Sequence, residues 1–439
     1  MRKALLLLFL IGLFMTVTGC GSRSNSSRSS TIQSVYVSSS LKSPVEAYFN
    51  EYFNAQKTLS YSEINSNIMA KNESTQLYEA FRKTVVQQER LFSGGIRNYE
   101  YKINYQKCSF NADTAVLELT LDLDFQYKNV PSDIKSGVYG VKYYITLKNN
   151  GTGWSITAIE SDLQEFQAFK TQVRDEITQS GLTQSEAVKK ISNSIQSDLQ
   201  MMSSNSLYLK GITAPVAESA SASPTTNSNT NPTNQSVYVS AKQYTYNPNE
   251  AVKYALVYAQ KAKDDRIFYT ISTDCTNFVS QCIWAGYVGY TDEATARTKM
   301  NNKLGMVYTE WHAGSGGGSH HWENVNNLWS YLANPNKQLG PMGTTYNDCK
   351  VYTNFPVSSI KVGDVLQVTN GSGGNVTSDN YHHSVIVTSK PSNATRYDDV
   401  LISSHTTDRK NISLRVVIDG FGYSRCYMRL FRPQTGYMK

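Results

Sequence analysis

The sequence predicts an α+β protein in which two domains are joined by a polar linker. Three observations support this prediction. The length of 439 residues is more than one hydrophobic core usually serves. Apolar spacing changes from helical to alternating within the N-terminal half, and a central stretch is poor in apolar residues. All six histidines lie between His312 and His405, so acid–base chemistry by imidazole is expected in the C-terminal half.

The chain begins with the pattern of a secretory signal peptide. Arg2 and Lys3 precede an apolar run from Ala4 to Met15, which is shorter than the roughly 20 residues that cross a bilayer. Val17-Thr18-Gly19-Cys20 resembles the lipobox of bacterial lipoproteins, and this resemblance implies that Cys20 carries two acyl chains, enough for a stable anchor. We therefore expect the protein on the extracellular face of the cytoplasmic membrane. An ordinary cleaved signal and an uncleaved anchor are the alternatives.

Two polar stretches separate the remaining parts of the chain. Neither can bury enough apolar surface to fold, so we interpret them as a stalk and an interdomain linker. The predicted organisation is a signal peptide over residues 1–19, a flexible stalk over 20–40, an N-terminal α+β domain over 41–212, a Ser/Thr/Asn/Pro linker over 213–241 and a C-terminal domain over 242–439.

The N-terminal domain is predicted to contain helices first and long strands afterwards. Apolar residues recur at helical spacing over Val45–Gln56 and Thr75–Phe92. Alternation predicts strands over Tyr99–Tyr105, Ala115–Phe125, Val138–Leu147 and Trp154–Ile159. This order resembles the nuclear transport factor 2-like fold, which implies a curved antiparallel sheet and a role in binding or dimerisation.

Charge and cysteine content restrict the classes of function. The net charge of +7 is modest and is not gathered into a basic stripe, so nucleic acid is not expected as a partner. Without Cys20, five of the six cysteines remain, which is an odd number. An odd cysteine in an exported protein points to a free and reactive thiol.

The C-terminal domain opens with a helix whose start is well marked. Asn247 is expected to cap it, Pro248 suits its first position, and Glu250 is placed to close a capping box. A second helix is predicted over Thr276–Tyr287, immediately after Cys275.

The start of this second helix is the predicted reactive site. With Asp274 as the cap, Cys275 falls in the first turn, where the amide groups and the helix dipole favour an anion. The pKa of the thiol is therefore expected to fall. A buried core cysteine is the alternative, and that is the interpretation given to Cys282.

Two histidines are expected to complete the site. His383 lies at the start of one predicted strand, and His405 ends the next, Val400–His405. If these strands are antiparallel neighbours, both imidazoles lie at one sheet edge, where one can take the thiol proton while the other orients it. Alternation sends His382 to the other face. The histidines lack the spacing of a zinc motif, so no metal or cofactor is predicted, although a zinc hydrolase remains an alternative.

Four motifs carry a family resemblance. They are Asp-Cys-Thr-Asn-Phe-Val-Ser-Gln-Cys at 274–282, His-Trp-Glu-Asn-Val at 321–325, His-Ser-Val-Ile-Val at 383–387 and Ser-His-Thr-Thr-Asp at 404–408. Together they resemble the bacterial "putative amidase domain" family, which is similar to the NlpC-type and CHAP cell-wall peptidases with their papain-like core. The resemblance implies a cysteine-bearing helix packed on an antiparallel sheet. Two features depart from the NlpC-type pattern. Thr-Asn replaces Ser-Gly after the cysteine, and a long insertion, about Ala285 to Phe355, separates Cys275 from His383.

The same resemblance implies roles for individual residues. Cys275 would be the nucleophile, His383 the base and His405 the orienting residue. Tyr269 lies where related enzymes use a tyrosine to support the oxyanion beside the Cys275 amide, and a packed surface tyrosine is the alternative.

The expected function is therefore that of a cysteine-dependent amidase working through an acyl-cysteine intermediate. Its expected substrate is peptidoglycan or another cell-wall amide, reached from the lipid-anchored surface. Besides the zinc hydrolase, two alternatives stay open: a transacylase of the same fold, and a catalytically inactive surface-binding lipoprotein.

Overall fold

A computed structural model describes residues 36–91, 94–204, 219–220, 241–351, 355–371, 380–422 and 425–438. The predicted signal peptide (1–19), the lipidation site Cys20 and most of the stalk (20–40) and linker (213–241) lie outside these residues. No helix in this described part combines the length and the apolar character that a bilayer crossing requires.

The N-terminal half consists of four helices and an antiparallel sheet of four strands. The helices are α1 (Ser39–Thr58), α2 (Glu73–Leu91), α3 (Gln164–Ser180) and α4 (Gln184–Ser204), and the strands are β1 (Ile96–Asn111), β2 (Thr114–Tyr127), β3 (Ser136–Asn149) and β4 (Trp154–Ser161). β1 pairs with β2, β2 with β3, and β3 with β4. Each predicted strand lies within an observed one.

Alternation along β2 explains how this sheet holds its helices. Every second residue from Ala115 to Phe125 is buried, while the residues between them are more exposed. Successive side chains of a strand point to opposite faces, so one face of β2 is apolar and packs in the core. The ring of Phe49 on α1 reaches this core and meets Tyr143 of β3 edge-on, with 5.1 Å between the ring centroids.

The C-terminal half has six helices and eight strands among the described residues. In chain order they are β5 (Ser219–Ala220), β6 (Lys242–Thr245), α5 (Pro248–Tyr258), α6 (Cys275–Val288), α7 (Glu293–Asn301), α8 (His320–Glu323), α9 (Val325–Leu332), β7 (Gly340–Lys350), β8 (Val365–Asn370), β9 (His383–Ser389), β10 (Leu401–Ser404), β11 (Asp408–Ser413), α10 (Leu414–Gly420) and β12 (Cys426–Met438). The strands pair antiparallel in the order β11-β10-β9-β8-β12-β7-β5, and β6 pairs with β12. The predicted α+β class is confirmed.

Helix α5 begins as predicted, although one contact differs. The side chain of Asn247 accepts a hydrogen bond from the Asn249 amide at 3.0 Å, and Pro248 is the first helical residue. Glu250 does not close a capping box. Its carboxylate instead accepts from the amide of Tyr290 at 2.7 Å, because the chain that follows α6 passes within reach. Glu250 thus ties α5 to the segment after α6.

Helix α6 lies on one face of the sheet. Phe278 and Val279 of the helix share an apolar core with Ile386 of β9. At the helix start, the hydroxyl of Thr276 is 3.0 Å from that of Ser384. These contacts fix the first turn of α6 beside the first residues of β9.

The two halves share one continuous sheet. The first residues of β3 pair with β11, with Val138 opposite Arg409. The hydroxyl of Ser136 donates to the carbonyl of Asn411 at 2.7 Å, and the side-chain Nδ2 of Asn411 donates to the carbonyl of Lys135 at 3.1 Å. The larger apolar core contains residues of both halves.

Candidate active site

Cys275 is the first residue of α6, as the sequence predicts. The residue before it, Asp274, takes the cap position, but its carboxylate makes no capping hydrogen bond. It is instead held by the loop before the helix, by a side chain of α6 and by His405. Oδ1 accepts from the amide of Ile271 at 3.1 Å and from Asn277 Nδ2 at 2.8 Å, and Oδ2 lies 2.7 Å from His405 Nδ1.

Burial controls the state of the Cys275 thiol. The residue is 4% exposed, and burial raises the pKa of its thiol, while the backbone N–H of Ser384 and the hydroxyl of Thr276 act in the opposite direction. The expectation of a lowered thiol pKa is therefore wrong for this conformation, because loss of solvent outweighs the donors from Ser384 and Thr276. The thiol is protonated at neutral pH, with its sulfur beside the Ser384 amide.

His383 is the first residue of β9 and is 2% exposed. Its Nε2 is buried and has no hydrogen-bond partner among the described residues. Burial, helped by the positive charge of Arg409, lowers the pKa of His383 to about 3. The imidazole is therefore neutral at pH 7 and can accept a proton.

The two faces of β9 separate His383 from the Cys275 helix. The side chain of Ser384 meets Thr276 on the helix side. Because neighbouring side chains of a strand alternate, the ring of His383 lies on the other face, 6.2 Å from the ring of Phe421. The structure thus brings the Cys275 sulfur to the backbone next to His383, and no hydrogen bond joins the thiol to the ring. His382, one residue earlier, is exposed.

His405 is fully buried, and its ring nitrogens contact partners other than His383. Nδ1 lies 2.7 Å from Asp274 Oδ2, and Nε2 donates to the carbonyl of Tyr258 at 3.0 Å. The ring stacks on Phe278, with 4.0 Å between centroids. The expected contact with His383 is not formed, because Asp274 and the end of α5 occupy both nitrogens.

Tyr269 is held near the start of α6 by one contact of its backbone and one of its side chain. Its carbonyl accepts from Asn277 Nδ2 at 2.9 Å. Its hydroxyl donates to Glu323 of α8, and burial together with this carboxylate raises the pKa of Tyr269. The hydroxyl proton is thus committed to Glu323 in this conformation.

Two buried residues of the site were missed by sequence reasoning. Arg266 is 4% exposed; its guanidinium lies 3.3 Å from Asp274 Oδ2 and 3.0 Å from His405 Nδ1, and also forms an ion pair with Asp408. Asn277, fully buried inside α6, accepts at Oδ1 from Gln281 and Trp322. The position of Asn277 among apolar residues of a predicted helix could have identified it, since a buried polar side chain needs hydrogen-bond partners. Arg266 gave none, because its partners are distant in sequence.

These buried contacts keep Asp274 ionised. Burial opposes the charged form, but the hydrogen bonds and charge of His405, with those of Asn277, outweigh it and lower the pKa of Asp274. Within the described residues, no three His, Cys, Asp or Glu side chains are grouped as a metal site would require.

The sequence and the structure were compared with those of known proteins and protein families. No similar protein was found among curated proteins or among solved structures. Residues 245–429, a stretch that includes Cys275, His383 and His405, match the sequence model of a family described as "Putative amidase domain". The C-terminal half therefore resembles this amidase family, which indicates a hydrolase acting on amides.

Proposed function

We propose that the protein is a thiol amidase with Cys275 as its nucleophile. The observation that carries the proposal is the position of the Cys275 sulfur, at the start of a buried helix and against the Ser384 amide. The sulfur attacks the substrate carbonyl and forms a thioester, the C–N bond breaks, and the amine leaves with the thiol proton. Water then hydrolyses the thioester and regenerates the thiol.

His383 is proposed as the group that carries this proton. Its neutral ring has a buried nitrogen with no hydrogen-bond partner among the described residues, which suits a base. Because the ring lies on the far face of β9 from the helix, the proposal requires His383 and Cys275 to approach each other when substrate binds. Catalytic hydrogen bonds commonly tighten only in the substrate complex.

The other candidates take supporting roles in this proposal. His405 acts as a positioning residue, because it holds Asp274 and stacks on Phe278 at the start of the nucleophile helix. The Ser384 amide is proposed to donate to the oxyanion, since its N–H favours the anionic form of the Cys275 sulfur beside it. Tyr269 could join it only after releasing Glu323.

The proposed substrate is an amide of the bacterial cell wall, such as a peptidoglycan stem peptide. This part of the proposal rests on the sequence, in which a signal-like start and a resemblance to a lipobox at Cys20 would place the chain on the outer face of the cytoplasmic membrane. A lipid anchor there would keep the C-terminal half close to the wall.

The competing proposal is a surface-binding lipoprotein without catalysis. The observation that favours it is the closed site, in which Cys275 is 4% exposed and makes no hydrogen bond to His383. The two proposals differ in whether purified peptidoglycan yields cleaved products.

Incubation with peptidoglycan, followed by mass spectrometry of the soluble products, tests the proposal. Cys275→Ala should abolish product release, whereas Cys282→Ala, which removes a fully buried cysteine of the same helix, should keep it. His383→Ala should lower turnover by a factor of about 100 or more, and His382→Ala should not. Products from folded Cys275→Ala protein would disprove the thiol mechanism. Wall binding without products in the wild type would establish the competing proposal.

A further inference from the structure

A cavity lies where the two halves of the molecule meet, away from the Cys275 thiol. Its volume is about 170 Å³. Apolar side chains from both halves form much of its wall, including Phe81, Leu121, Phe125, Phe169, Ile412 and Val416. For comparison, a dry apolar cavity of roughly 150 Å³ takes up benzene, so this space accommodates a small organic molecule.

Ionisable groups also line the cavity, and the carboxyls outnumber the cations. There are four carboxyl groups, Glu89, Glu165, Asp398 and Asp419, and two guanidinium groups, Arg409 and Arg415. The cations are already engaged: Arg409 lies 2.5 Å from Glu165 Oε1, and Arg415 lies 2.5 Å from Asp419 Oδ1. The wall therefore has acceptor capacity beyond its own positive charge.

Two carboxylate oxygens in this wall have no partner among the described residues. They are Oδ1 of Asp398 and Oε2 of Glu165, and both are buried. Asp398 is 3% exposed, and its other oxygen accepts from Arg396 at 3.2 Å. A buried acceptor without a donor costs free energy comparable to a lost hydrogen bond. A ligand that donates to these oxygens would remove that cost.

The pKa values of the cavity carboxyls favour a positively charged ligand. Burial raises the pKa of Glu89 to about 8 and that of Asp419 to about 7, with nearby carboxylates contributing. Burial also raises the pKa of Asp398. A positive charge inside the cavity would favour the ionised forms that burial disfavours.

We propose that this cavity binds a small primary amine with an apolar body, its ammonium group donating to Asp398 and Glu165 while its body packs against Phe81 and Phe169. The size corresponds to a monosubstituted benzene or a short alkyl chain. The site is independent of the proposed amidase chemistry, because it uses neither Cys275 nor His383.

Isothermal titration of the full chain at pH 7 with three probes of matched shape tests the charge preference. The probes are phenethylamine, the neutral phenethyl alcohol and the anionic phenylacetate. A charge-assisted hydrogen bond to a buried carboxylate predicts that the amine binds about tenfold more tightly than the alcohol, and the acid should bind most weakly. Equal affinity for amine and alcohol, or binding of none of the three, would overturn the proposal.

Two variants locate the site. Asp398→Asn should reduce the amine affinity about tenfold, to that of the alcohol, and leave alcohol binding unchanged. Asp113→Asn removes an exposed carboxylate outside the cavity and should change nothing. Ala168→Phe fills space in the cavity wall and should abolish binding of amine and alcohol alike. An unchanged preference in Asp398→Asn, or unchanged affinity in Ala168→Phe, would refute the proposed location.

Discussion

At the scale of single residues, His383 combines burial with an unsatisfied nitrogen. Its Nε2 has no hydrogen-bond partner among the described residues, and its pKa falls to about 3. Leaving a buried polar atom without a partner costs stability, so this residue is a poor choice for packing alone. Such groups are often found at functional sites, which is the reason to prefer His383 over the exposed His382 as the base.

The low pKa of His383 gives a prediction for stability. The pKa in the folded state, about 3, lies below the value of about 6.5 for an unfolded histidine. Between these values the unfolded chain binds the proton more readily, so the free energy of unfolding falls as the pH drops below about 6.5. From pH 7 to pH 5 this residue should contribute a loss of about 2 kcal/mol.

Urea unfolding at both pH values measures this contribution by difference. Glu89 and Asp419, with raised pKa values, act in the opposite direction, so the wild-type slope alone does not isolate His383. His383→Gln should lose about 2 kcal/mol less than the wild type between pH 7 and pH 5. His382→Gln should behave as the wild type. Identical losses in all three proteins would contradict the buried, neutral state of His383.

At the scale of elements, the start of α6 is held by side chains more than by its own cap. Asn277 makes four hydrogen bonds, to Tyr269, Asp274, Gln281 and Trp322. It therefore connects α6 to the segment before it and to helix α8. The thiol is positioned through this network, because Asp274 lacks a capping bond of its own.

Asn277→Ala should therefore destabilise the fold strongly. Loss of four buried hydrogen bonds, at roughly 1 kcal/mol each, predicts a decrease of about 4 kcal/mol in the free energy of unfolding. Chemical denaturation followed by circular dichroism measures it. Asn301→Ala, at the exposed end of α7, should change stability by less than about 0.5 kcal/mol. A loss in Asn277→Ala as small as in this control would show that the network does not hold the helix.

The elements themselves were largely predictable, whereas their mutual placement was not. Asn247 and Pro248 marked the start of α5, and Cys275 was expected at the start of α6, because caps and periodicity are local properties of the chain. Alternation also predicted that the side chains of His382 and His383 point to opposite faces of the sheet. It could not tell which face meets α6, since that depends on packing between distant segments. The partners of His405 were unpredictable for the same reason.

At the scale of the whole molecule, the two halves are joined by hydrogen bonds and by a common core. β3 pairs with β11, and the Arg409–Glu165 ion pair connects the halves beside this seam. Sequence reasoning placed a polar linker between two domains, since linker composition is visible locally. The pairing of β3 with β11 could not be predicted, because it joins segments that are far apart in the sequence.

This shared sheet predicts that the full chain unfolds in a single transition. Differential scanning calorimetry should give one peak whose calorimetric and van't Hoff enthalpies agree, because separating β3 from β11 would expose the common core. The fluorescence of the tryptophans, four of which lie in the C-terminal half and one, Trp154, in the N-terminal half, should change at the same temperature. Two resolved transitions would indicate that the halves unfold independently.

The pairing of β3 with β11 also has a consequence for folding during synthesis, because β3 is synthesised long before β11. Ser136 and its partner Asn411 are 275 positions apart, and synthesis at roughly 5–20 residues per second separates them by tens of seconds. During that interval the leading part of β3 lacks its neighbour and presents open backbone groups, a feature that promotes association with other chains. Only when β11, Asp408–Ser413, has been synthesised can this part of β3 complete its backbone hydrogen bonds.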